Sequence, residues 1–439
     1  MLGKNFLPNG HWLTPGEQEY VIEAMLRYGI LKYSNRFDLP LKSGGTTDIY
    51  VNIRDGRSNA EMNRIFARQF MNPIFRLNPA RFSEVPDAVS CIAGIIQDKL
   101  DLPLVTIRKE AKEGRVSDAM MIGEMRRGDR IVCFDDVITD GASKVVPYRE
   151  LTRRGAYLLP LVVMVDRQQG WKKYFEKNDI DWSVWSGMTL HHIRRYLIEK
   201  DIMQRCDPKM EEKNPLIVAL DGKDWEEILP VMEKLRTTGC ILKFNDLVLY
   251  EGIKNLCPDA QVYGRDMIDL KGHDISNTLK NIAKRLLQNP PWAVTVHASG
   301  GFEMIKAVVD MLKGTPTKVL AVTVLTSMDP HTCEEIYTRL PIEQVRAMAA
   351  IAHAAGAHGL VSSAHEVKEL RNLYPSMTLV TPGIRSAGAD VGDQARVETP
   401  EAAMANGSSH LVMGRQILTA ANPVAEIKRL LAEELKISL

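Results

Sequence analysis

The chain has 439 residues, of which 45% are hydrophobic and 25% are charged, as is typical of a globular protein long enough for two domains. The formal net charge of +1 provides no field that would favour nucleic acid or an anionic membrane as a partner. The N-terminus has no signal-peptide pattern, and no run approaches the ~20 apolar residues that a membrane span needs. The six cysteines show no metal-ligand spacing. Together these features predict a cytoplasmic protein with reduced thiols.

The first half of the chain alternates apolar, β-rich runs with stretches of helical spacing. The runs predicted as strands are Ile49–Ile53, Ala88–Ile92, Leu104–Ile107, Ile131–Phe134 and Leu159–Val165. Helices are predicted at Ala60–Phe75 and Ser143–Arg154. This alternation predicts an open, mainly parallel α/β sheet.

One motif in this half joins an apolar strand to a polar loop. From Ile131 to Ser143 the chain reads IVCFDDVITDGAS, so two acids precede a loop that opens a helix. Backbone N–H groups and hydroxyls at such a helix start can hold a phosphate, and the acids can accept ribose hydroxyls. An acidic strand-to-helix turn without a ligand is the alternative. The absence of GK[ST] excludes a Walker-type loop.

This motif resembles the phosphoribosyl pyrophosphate (PRPP) motif of type I phosphoribosyltransferases. LPLKSGGTTDIYVN at 39–52, RKEAKE at 108–113 and VDRQQG at 165–170 narrow the resemblance, over residues 20–200, to orotate phosphoribosyltransferase. It implies PRPP and orotate as ligands and Mg²⁺ that is bound with PRPP. The residues implied in binding them are Lys42, Tyr50, Arg108, Lys109, Lys112, Asp135, Asp136, Thr139, Gly141, Ser143 and Arg167.

The chain departs from that family at two places. Only AGIIQDKLD lies between the predicted strand Ala88–Ile92 and Leu102, so a pyrophosphate loop with its helix is expected to be missing. Lys112 is followed by EGRVSD, without the histidine or tyrosine that the mobile loop usually carries. A degenerate N-terminal domain, used for assembly or binding, is therefore the alternative to an active transferase.

The second half of the chain contains a regular series of β/α units. The charged segment 206–214, CDPKMEEKN, is predicted to be a linker between domains at 1–205 and 215–439. After it, the predicted strands are Leu216–Leu220, Cys240–Phe244, Met267–Leu270, Ala293–Val296, Val319–Leu325, Gly359–Val361, Thr378–Val380 and His410–Met413. Helical spacing follows most of them, as at Trp225–Leu235, Ile275–Leu287, Phe302–Leu312 and Ile342–Ala354. Eight such units predict a closed (β/α)₈ TIM barrel, with an open doubly wound sheet as the alternative.

Polar residues stand at or just past the ends of these strands, where a barrel carries its active site. They are Asp221, Lys243, Asp269, Lys271, Ser327, Arg385 and Arg415. Asp269 and Lys271 are two positions apart and should face the same side of a strand, and Asp274 follows at the turn into a helix. Charges buried in a barrel mouth are costly unless they pair. A solvated surface run of ion pairs is the alternative to a catalytic site.

The segment 216–435 resembles the orotidine 5'-monophosphate decarboxylase family. The matching stretches are VALD ending at Asp221, DLKGHDI at 269–275, VTVHASGG at 294–301, VLTS at 324–327, TPGIR at 381–385, GDQARVETP at 392–400 and MGR at 413–415. The resemblance implies decarboxylation of a nucleotide without a cofactor, in a homodimer formed through the barrel. It implies Lys271 as proton donor to C6 of the pyrimidine, Asp269 beside the substrate carboxylate, and Asp274 reaching the ribose of a neighbouring subunit's ligand.

The resemblance extends to the remaining binding residues. It implies that Asp221 and Lys243 bind ribose hydroxyls and complete the charged network. Further contacts with base, ribose or 5'-phosphate are implied for Ile275, Thr278, Thr326, Ser327, Arg385, Gln394, Gly414 and Arg415, with 385–399 as a closing loop. Asn245 stands where the family commonly has glycine, and His297 is predicted to be structural, with a site role as the alternative.

The two resemblances occur in the order found in bifunctional UMP synthases. Such an enzyme would convert orotate and PRPP to orotidine monophosphate and then to UMP. A decarboxylase with a non-catalytic N-terminal domain is the alternative. A nucleic-acid-binding protein with a phosphoribosyltransferase fold is disfavoured by the near-neutral charge.

Overall fold

The computed structural model describes residues 11–40, 46–85, 89–110, 120–388 and 398–438. The chain divides into two compact units, Met1–Met203 and Gln204–Leu439. Among the described residues, no helix is both long and apolar enough to cross a bilayer.

The first unit is an open α/β sheet with helices on both faces. Its helices are α1 (Pro15–Arg27), α2 (Ala60–Leu77), α3 (Ser90–Leu100), α4 (Val145–Arg153), α5 (Trp171–Lys177) and α6 (Leu190–Glu199). Its strands are β1 (Leu31–Tyr33), β2 (Leu39–Pro40), β3 (Thr46–Thr47), β4 (Ile49–Val51), β5 (Arg81–Glu84), β6 (Leu104–Ile107), β7 (Met121–Ile122), β8 (Arg130–Ile138), β9 (Tyr157–Leu158), β10 (Leu161–Asp166) and β11 (Val184–Thr189).

The main sheet of this unit runs in the order β11-β10-β8-β5-β6-β7, with β9 paired to β8. All of its pairings are parallel except that of β6 with β7, which confirms the predicted open, mainly parallel sheet. Alternate residues of β8 enter different cores, with Val132 and Phe134 on one face and Ile131 and Cys133 on the other. Both faces are covered, as a parallel sheet requires.

The predicted strand Ala88–Ile92 is wrong, because Ser90 begins helix α3. The strand in this region is β5, which lies one element earlier, and it pairs with β6 and β8. The inference of a missing loop and helix rested on the wrong strand. Between β5 and β6 the chain has room for both a connection and the 11 residues of α3.

The second unit is a closed barrel of eight parallel strands. They are β12 (Leu216–Ala219), β13 (Ile241–Phe244), β14 (Arg265–Gly272), β15 (Ala293–His297), β16 (Lys318–Val322), β17 (Gly359–Val361), β18 (Thr378–Thr381) and β19 (His410–Met413). Its helices are α7 (Pro208–Lys213), α8 (Trp225–Leu235), α9 (Leu247–Glu251), α10 (Ile253–Ala260), α11 (Ser276–Leu286), α12 (Gly301–Leu312), α13 (Pro330–Tyr337), α14 (Pro341–Ala354), α15 (Ala364–Leu373), α16 (Pro400–Ala405), α17 (Arg415–Leu418) and α18 (Pro423–Arg429).

Closure of the barrel follows from the pairing of β12 with both β13 and β19. Each of the eight predicted strands is present, and the open-sheet alternative is excluded. One residue from most strands forms a buried layer inside the barrel: Ile217, Ile241, Met267, Ala293, Leu320, Val380 and Val412. This packed layer closes the interior below the mouth, where the C-terminal ends of the strands carry their polar residues.

The segment 206–214, predicted as a linker, contains helix α7 and lies within the second unit. Arg265, at the start of β14, donates from Nη2 to the carbonyl oxygens of Glu211 and Gly239. Asn214 donates from Nδ2 to the carbonyl oxygen of Thr238 at 2.8 Å. These bonds attach the segment to the barrel.

Candidate active site

The mouth of the barrel encloses a cavity of about 580 Å³. Its wall combines charged groups with apolar side chains, as in ligand sites generally. Of the predicted residues, those that line it are Asp221, Lys243, Asp269, Lys271, Thr326, Arg385, Gly414 and Arg415. All of them except Thr326, which follows β16, come from neighbouring strand ends, since β18, β19, β12, β13 and β14 are consecutive around the barrel.

A chain of alternating charges crosses one side of this cavity. Lys243 Nζ donates to Asp221 Oδ2 at 2.6 Å and to Asp269 Oδ2 at 3.1 Å. Lys271 Nζ donates to the same Asp269 oxygen at 2.7 Å. The order acid, ammonium, acid, ammonium lets each buried charge face an opposite one, which offsets its loss of water.

Burial and charge act in opposite directions on the two innermost groups. Burial raises the pKa of Asp269, but Lys243 and Lys271 outweigh it and hold the pKa below its usual value. Burial lowers the pKa of Lys243, and the carboxylates of Asp269 and Asp221 more than reverse this. Both groups therefore keep their charge at neutral pH.

The sequence analysis missed one residue of the network and gave another, Asn245, no part in it. Thr295, fully buried in β15, donates from Oγ1 to Asp269 Oδ1 at 2.8 Å and accepts from the Lys271 N–H at 2.8 Å. Asn245 donates from Nδ2 to the carbonyl oxygen of Asp269 at 2.6 Å, so the residue that departs from the family pattern supports the acid. The available signal for Thr295 was a single polar residue inside an apolar strand.

Two arginines also line the cavity. Arg385 follows β18, and its N–H donates to the carbonyl oxygen of Glu398 at 3.0 Å. Gly414 and Arg415 follow β19, and Arg415 is the first residue of α17. Gln394, expected beside them, lies outside the described residues, as does most of the expected closing loop.

Four predicted residues do not line the cavity. Asp274 and Ile275 lie exposed in the turn before α11, where Asp274 Oδ1 accepts the Ile275 N–H. Thr278 is half-buried on α11, and Ser327 is exposed beyond β16. The Nδ1 atom of His297, also outside the wall, lies 2.6 Å from Ser299 Oγ.

The first unit brings its two predicted acids together on one strand. Asp135 and Asp136 are buried within β8, which continues past Phe134. Lys144, fully buried, donates to Asp135 and, at 2.9 Å, to Ser143 Oγ. Arg54 Nε lies 3.6 Å from Asp136 Oδ2. Burial and the adjacent Asp135 raise the pKa of Asp136 to about 8, against the opposing effect of Lys144 and Arg54.

Around these acids, Gly141 adopts a φ of +84°, and a Cβ there would lie 2.6 Å from Phe175. Glycine is therefore required between half-buried Thr139 and exposed Ser143. The other predicted residues are more scattered: Tyr50 lies on β4, Arg108 and Lys109 follow β6, and Arg167 follows β10. Lys42 and Lys112 lie outside the described residues.

A parallel barrel with paired acids and ammonium groups in its mouth defines a barrel enzyme of the TIM class. The family model "Orotidine 5'-phosphate decarboxylase / HUMPS family" matches residues 214–430. The chain is 40% identical over 237 residues to the orotidine 5'-phosphate decarboxylase of Psychromonas ingrahamii, covering 52% of this chain and 97% of that protein. The chain belongs to this decarboxylase family.

Two further comparisons each cover about half of the chain. The orotidine 5'-phosphate decarboxylase of Pseudoalteromonas translucida is 40% identical over 225 residues, covering 49% of this chain and 94% of that protein. A crystal structure of the decarboxylase from Lactobacillus acidophilus is 37% identical, covers 49% of this chain and 97% of that one, and has a TM-score of 0.44.

Proposed function

We propose that the C-terminal unit decarboxylates orotidine 5'-monophosphate to UMP. The observation that carries this proposal is the alternating network of Asp221, Lys243, Asp269 and Lys271 in a cavity that arginines also line. Membership of the decarboxylase family supports the same reaction.

The chemistry explains why an ammonium must stand at the reacting carbon. When the bond from C6 to the carboxylate breaks, CO₂ leaves and its bonding electrons stay on C6. No carbonyl is placed to delocalise them, so a fixed ammonium both stabilises the charge and then supplies a proton. We assign this role to Lys271, whose amine then takes a proton from water. Asp269 orients the ammonium, at 2.7 Å, and repels the substrate carboxylate before it leaves.

The remaining cavity groups are assigned to binding. Arg385 and Arg415 suit the 5'-phosphate, since guanidinium groups pair well with phosphate oxygens. Asp221 and Lys243 suit the ribose hydroxyls. The exposed position of Asp274 suits a role in a neighbouring subunit's site, which makes a homodimer through the barrel part of the proposal.

Replacing the proton donor tests this function. Lys271→Ala should abolish decarboxylation, measured as the fall in nucleotide absorbance, while circular dichroism remains unchanged. Lys306→Ala, which removes an exposed lysine paired with Asp310 on α12, serves as the matched control and should keep full activity. More than a trace of activity in the purified Lys271→Ala protein would contradict the assignment.

We also propose that the N-terminal unit, Met1–Met203, transfers a phosphoribosyl group from PRPP to orotate, so that the whole chain is a bifunctional UMP synthase. Supporting features are the acids on β8, the glycine turn at Gly141 and the helix that follows. Helix α3 after β5 supplies the element that had seemed absent. Mg²⁺ bound with PRPP is part of this transferase proposal.

One observation favours the alternative, a decarboxylase with a non-catalytic N-terminal unit. Asp135 is already paired with buried Lys144, so accepting a ribose hydroxyl would disturb a buried ion pair. Purified protein supplied with orotate, PRPP and Mg²⁺ decides between the two. Loss of orotate supports the transferase. If orotidine monophosphate is consumed and orotate is not, the transferase proposal fails.

A further inference from the structure

Arg385 and Arg415 are each followed by a polar residue, and these two polar residues bind each other. Ser386 follows Arg385, and Gln416 follows Arg415. The Ser386 N–H donates to Gln416 Oε1 at 3.0 Å, and Gln416 Nε2 donates to Ser386 Oγ at 2.6 Å. This reciprocal pair joins the segments that leave β18 and β19.

The end of the chain anchors this pair. Arg429 donates from Nη2 to Ser386 Oγ at 3.0 Å and to Glu426 Oε1 at 2.7 Å. Glu426 Oε1 also accepts from Gln416 Nε2 at 2.8 Å. Glu434 Oε1 accepts from Ser386 Oγ at 2.6 Å and from Arg429 Nη1 at 2.8 Å. We call these residues, Ser386, Gln416, Glu426, Arg429 and Glu434, the arginine brace.

The Ser386 hydroxyl, at the centre of the brace, makes as many hydrogen bonds as a hydroxyl can. The Ser386 hydroxyl donates once, to Glu434, and accepts twice, from Gln416 and Arg429, which is all that a hydroxyl can do. Hydrogen bonds from Arg429 hold the pKa of Glu426 below its usual value, so Glu426 stays charged at neutral pH. Such a saturated network has a single arrangement.

None of the five brace residues lines the cavity, whereas Arg385 and Arg415 both do. The brace can therefore act on a ligand only indirectly, through cavity-lining residues of the same segments such as these arginines. A grip on one phosphate that two guanidinium groups share needs a defined spacing between them. The brace joins the two backbone segments that carry these arginines.

We infer that Gln416 and Ser386 are positioning residues that set the spacing of Arg385 and Arg415 for the substrate's 5'-phosphate. This inference rests on the proposed decarboxylase function. It goes beyond that function because it assigns a role to residues that touch neither the substrate nor the reacting atoms.

The test compares substrates with and without the phosphate. Gln416→Met keeps the side-chain length and removes the three hydrogen bonds made by the amide. In the full chain, kcat/KM for orotidine monophosphate should fall about tenfold, equivalent to ~1.4 kcal/mol, mainly through KM. The kcat/KM for orotidine, which lacks the phosphate, should stay unchanged. Inorganic phosphate, titrated by calorimetry, should bind more weakly to the variant.

A second pair of variants guards against a simple folding defect. Ser386→Thr keeps the hydroxyl and should retain wild-type kinetics, whereas Ser386→Ala should behave like Gln416→Met. Lys306→Met removes an exposed ion pair with Asp310 on α12 and should change the kinetics with neither substrate.

Two outcomes would overturn the inference. One is an equal loss with both substrates. The other is a lowered thermal midpoint in Gln416→Met with an unchanged ratio of the two kcat/KM values. Either outcome would show that the brace has a structural role alone. If wild-type protein decarboxylates neither compound, the proposed function fails. The calorimetric phosphate titration then still decides the role of the brace, because it requires no turnover.

Discussion

At the scale of single residues, the central acid and lysine depend on a threonine. Lys271 has a φ of +47°, a left-handed conformation that costs a non-glycine residue roughly 1 kcal/mol or more. The Lys271 N–H is held at 2.8 Å by Thr295 Oγ1, and the same hydroxyl donates to Asp269. One side chain thus fixes both the backbone turn at the lysine and the orientation of the acid.

Thr295→Val should therefore lower kcat while leaving KM nearly unchanged. The substitution keeps the shape of the side chain and removes both hydrogen bonds, so Asp269 and Lys271 lose their alignment at the reacting carbon. We expect a loss of at least about tenfold, because two hydrogen bonds are removed, and the one to the charged Asp269 carboxylate contributes more than the ~1 kcal/mol of a neutral hydrogen bond. Thr295→Ser retains the hydroxyl and is the control. Steady-state kinetics with a wild-type kcat in Thr295→Val would contradict this role.

A second residue, Asp266, makes a pH-dependent contribution to stability. Burial raises the pKa of Asp266 from 3.8 to about 7, against the opposing effect of hydrogen bonds from Gln261 and the backbone. In the unfolded chain the group loses its proton near its ordinary pKa, whereas in the folded chain it keeps the proton up to about pH 7. Stability from this group is therefore full at low pH and declines as the pH rises to about 7.

Asp266→Asn should remove this decline, because the amide does not titrate. The urea midpoint of decarboxylase inactivation is the measurement, taken at pH 5 and pH 7.5. Relative to wild type, the variant should gain stability at the higher pH. An identical change with pH in both proteins would show that Asp266 is not the titrating group.

At the scale of elements, strand β14 connects two ends of the barrel. Its last residues carry the charged site, and its first residue, Arg265, holds helix α7 through backbone carbonyls. Arg265 also lies over the Trp292 ring, 6.0 Å from its centroid. Helix α7 has a second, more exposed contact, in which Arg205 pairs with Glu211 at 2.9 Å.

Arg265→Ala should release helix α7, while Arg205→Ala should have little effect. The first leaves buried carbonyls without a donor, and the second removes a partly exposed ion pair that contributes little. Limited trypsin digestion measures this, since Lys209 and Lys213 lie within the helix. Cleavage there should accelerate in Arg265→Ala alone, and equal rates in the two variants would contradict the difference.

The elements also show how far sequence patterns reach. Each barrel strand was predicted as an apolar, β-rich run, and the charged site was located because polar residues follow several of these runs. The segment around Ser90 is apolar throughout, so periodicity could not separate helix from strand. Strand β5 was missed because buried Ser83 and Glu84 interrupt its apolar character. The left-handed turn at Lys271 leaves no trace in composition, because nothing but tertiary contacts selects it.

At the scale of the whole molecule, the two proposed active centres use separate sets of residues. The decarboxylase network is built from strands of the second unit, and the acid pair on β8 belongs to the first. The two reactions should therefore respond independently to substitution.

Lys271→Ala in the full chain tests this independence. Supplied with orotate, PRPP and Mg²⁺, the variant should consume orotate at the wild-type initial rate and accumulate orotidine monophosphate, because only the second reaction has lost its proton donor. Chromatography of the nucleotides measures both rates. Asp136→Asn is the reciprocal variant: it should stop the use of orotate and leave decarboxylation of added orotidine monophosphate intact. If Lys271→Ala also halts orotate consumption while wild type consumes it, the two centres are coupled. The proposal that each unit carries out its own reaction independently is then wrong.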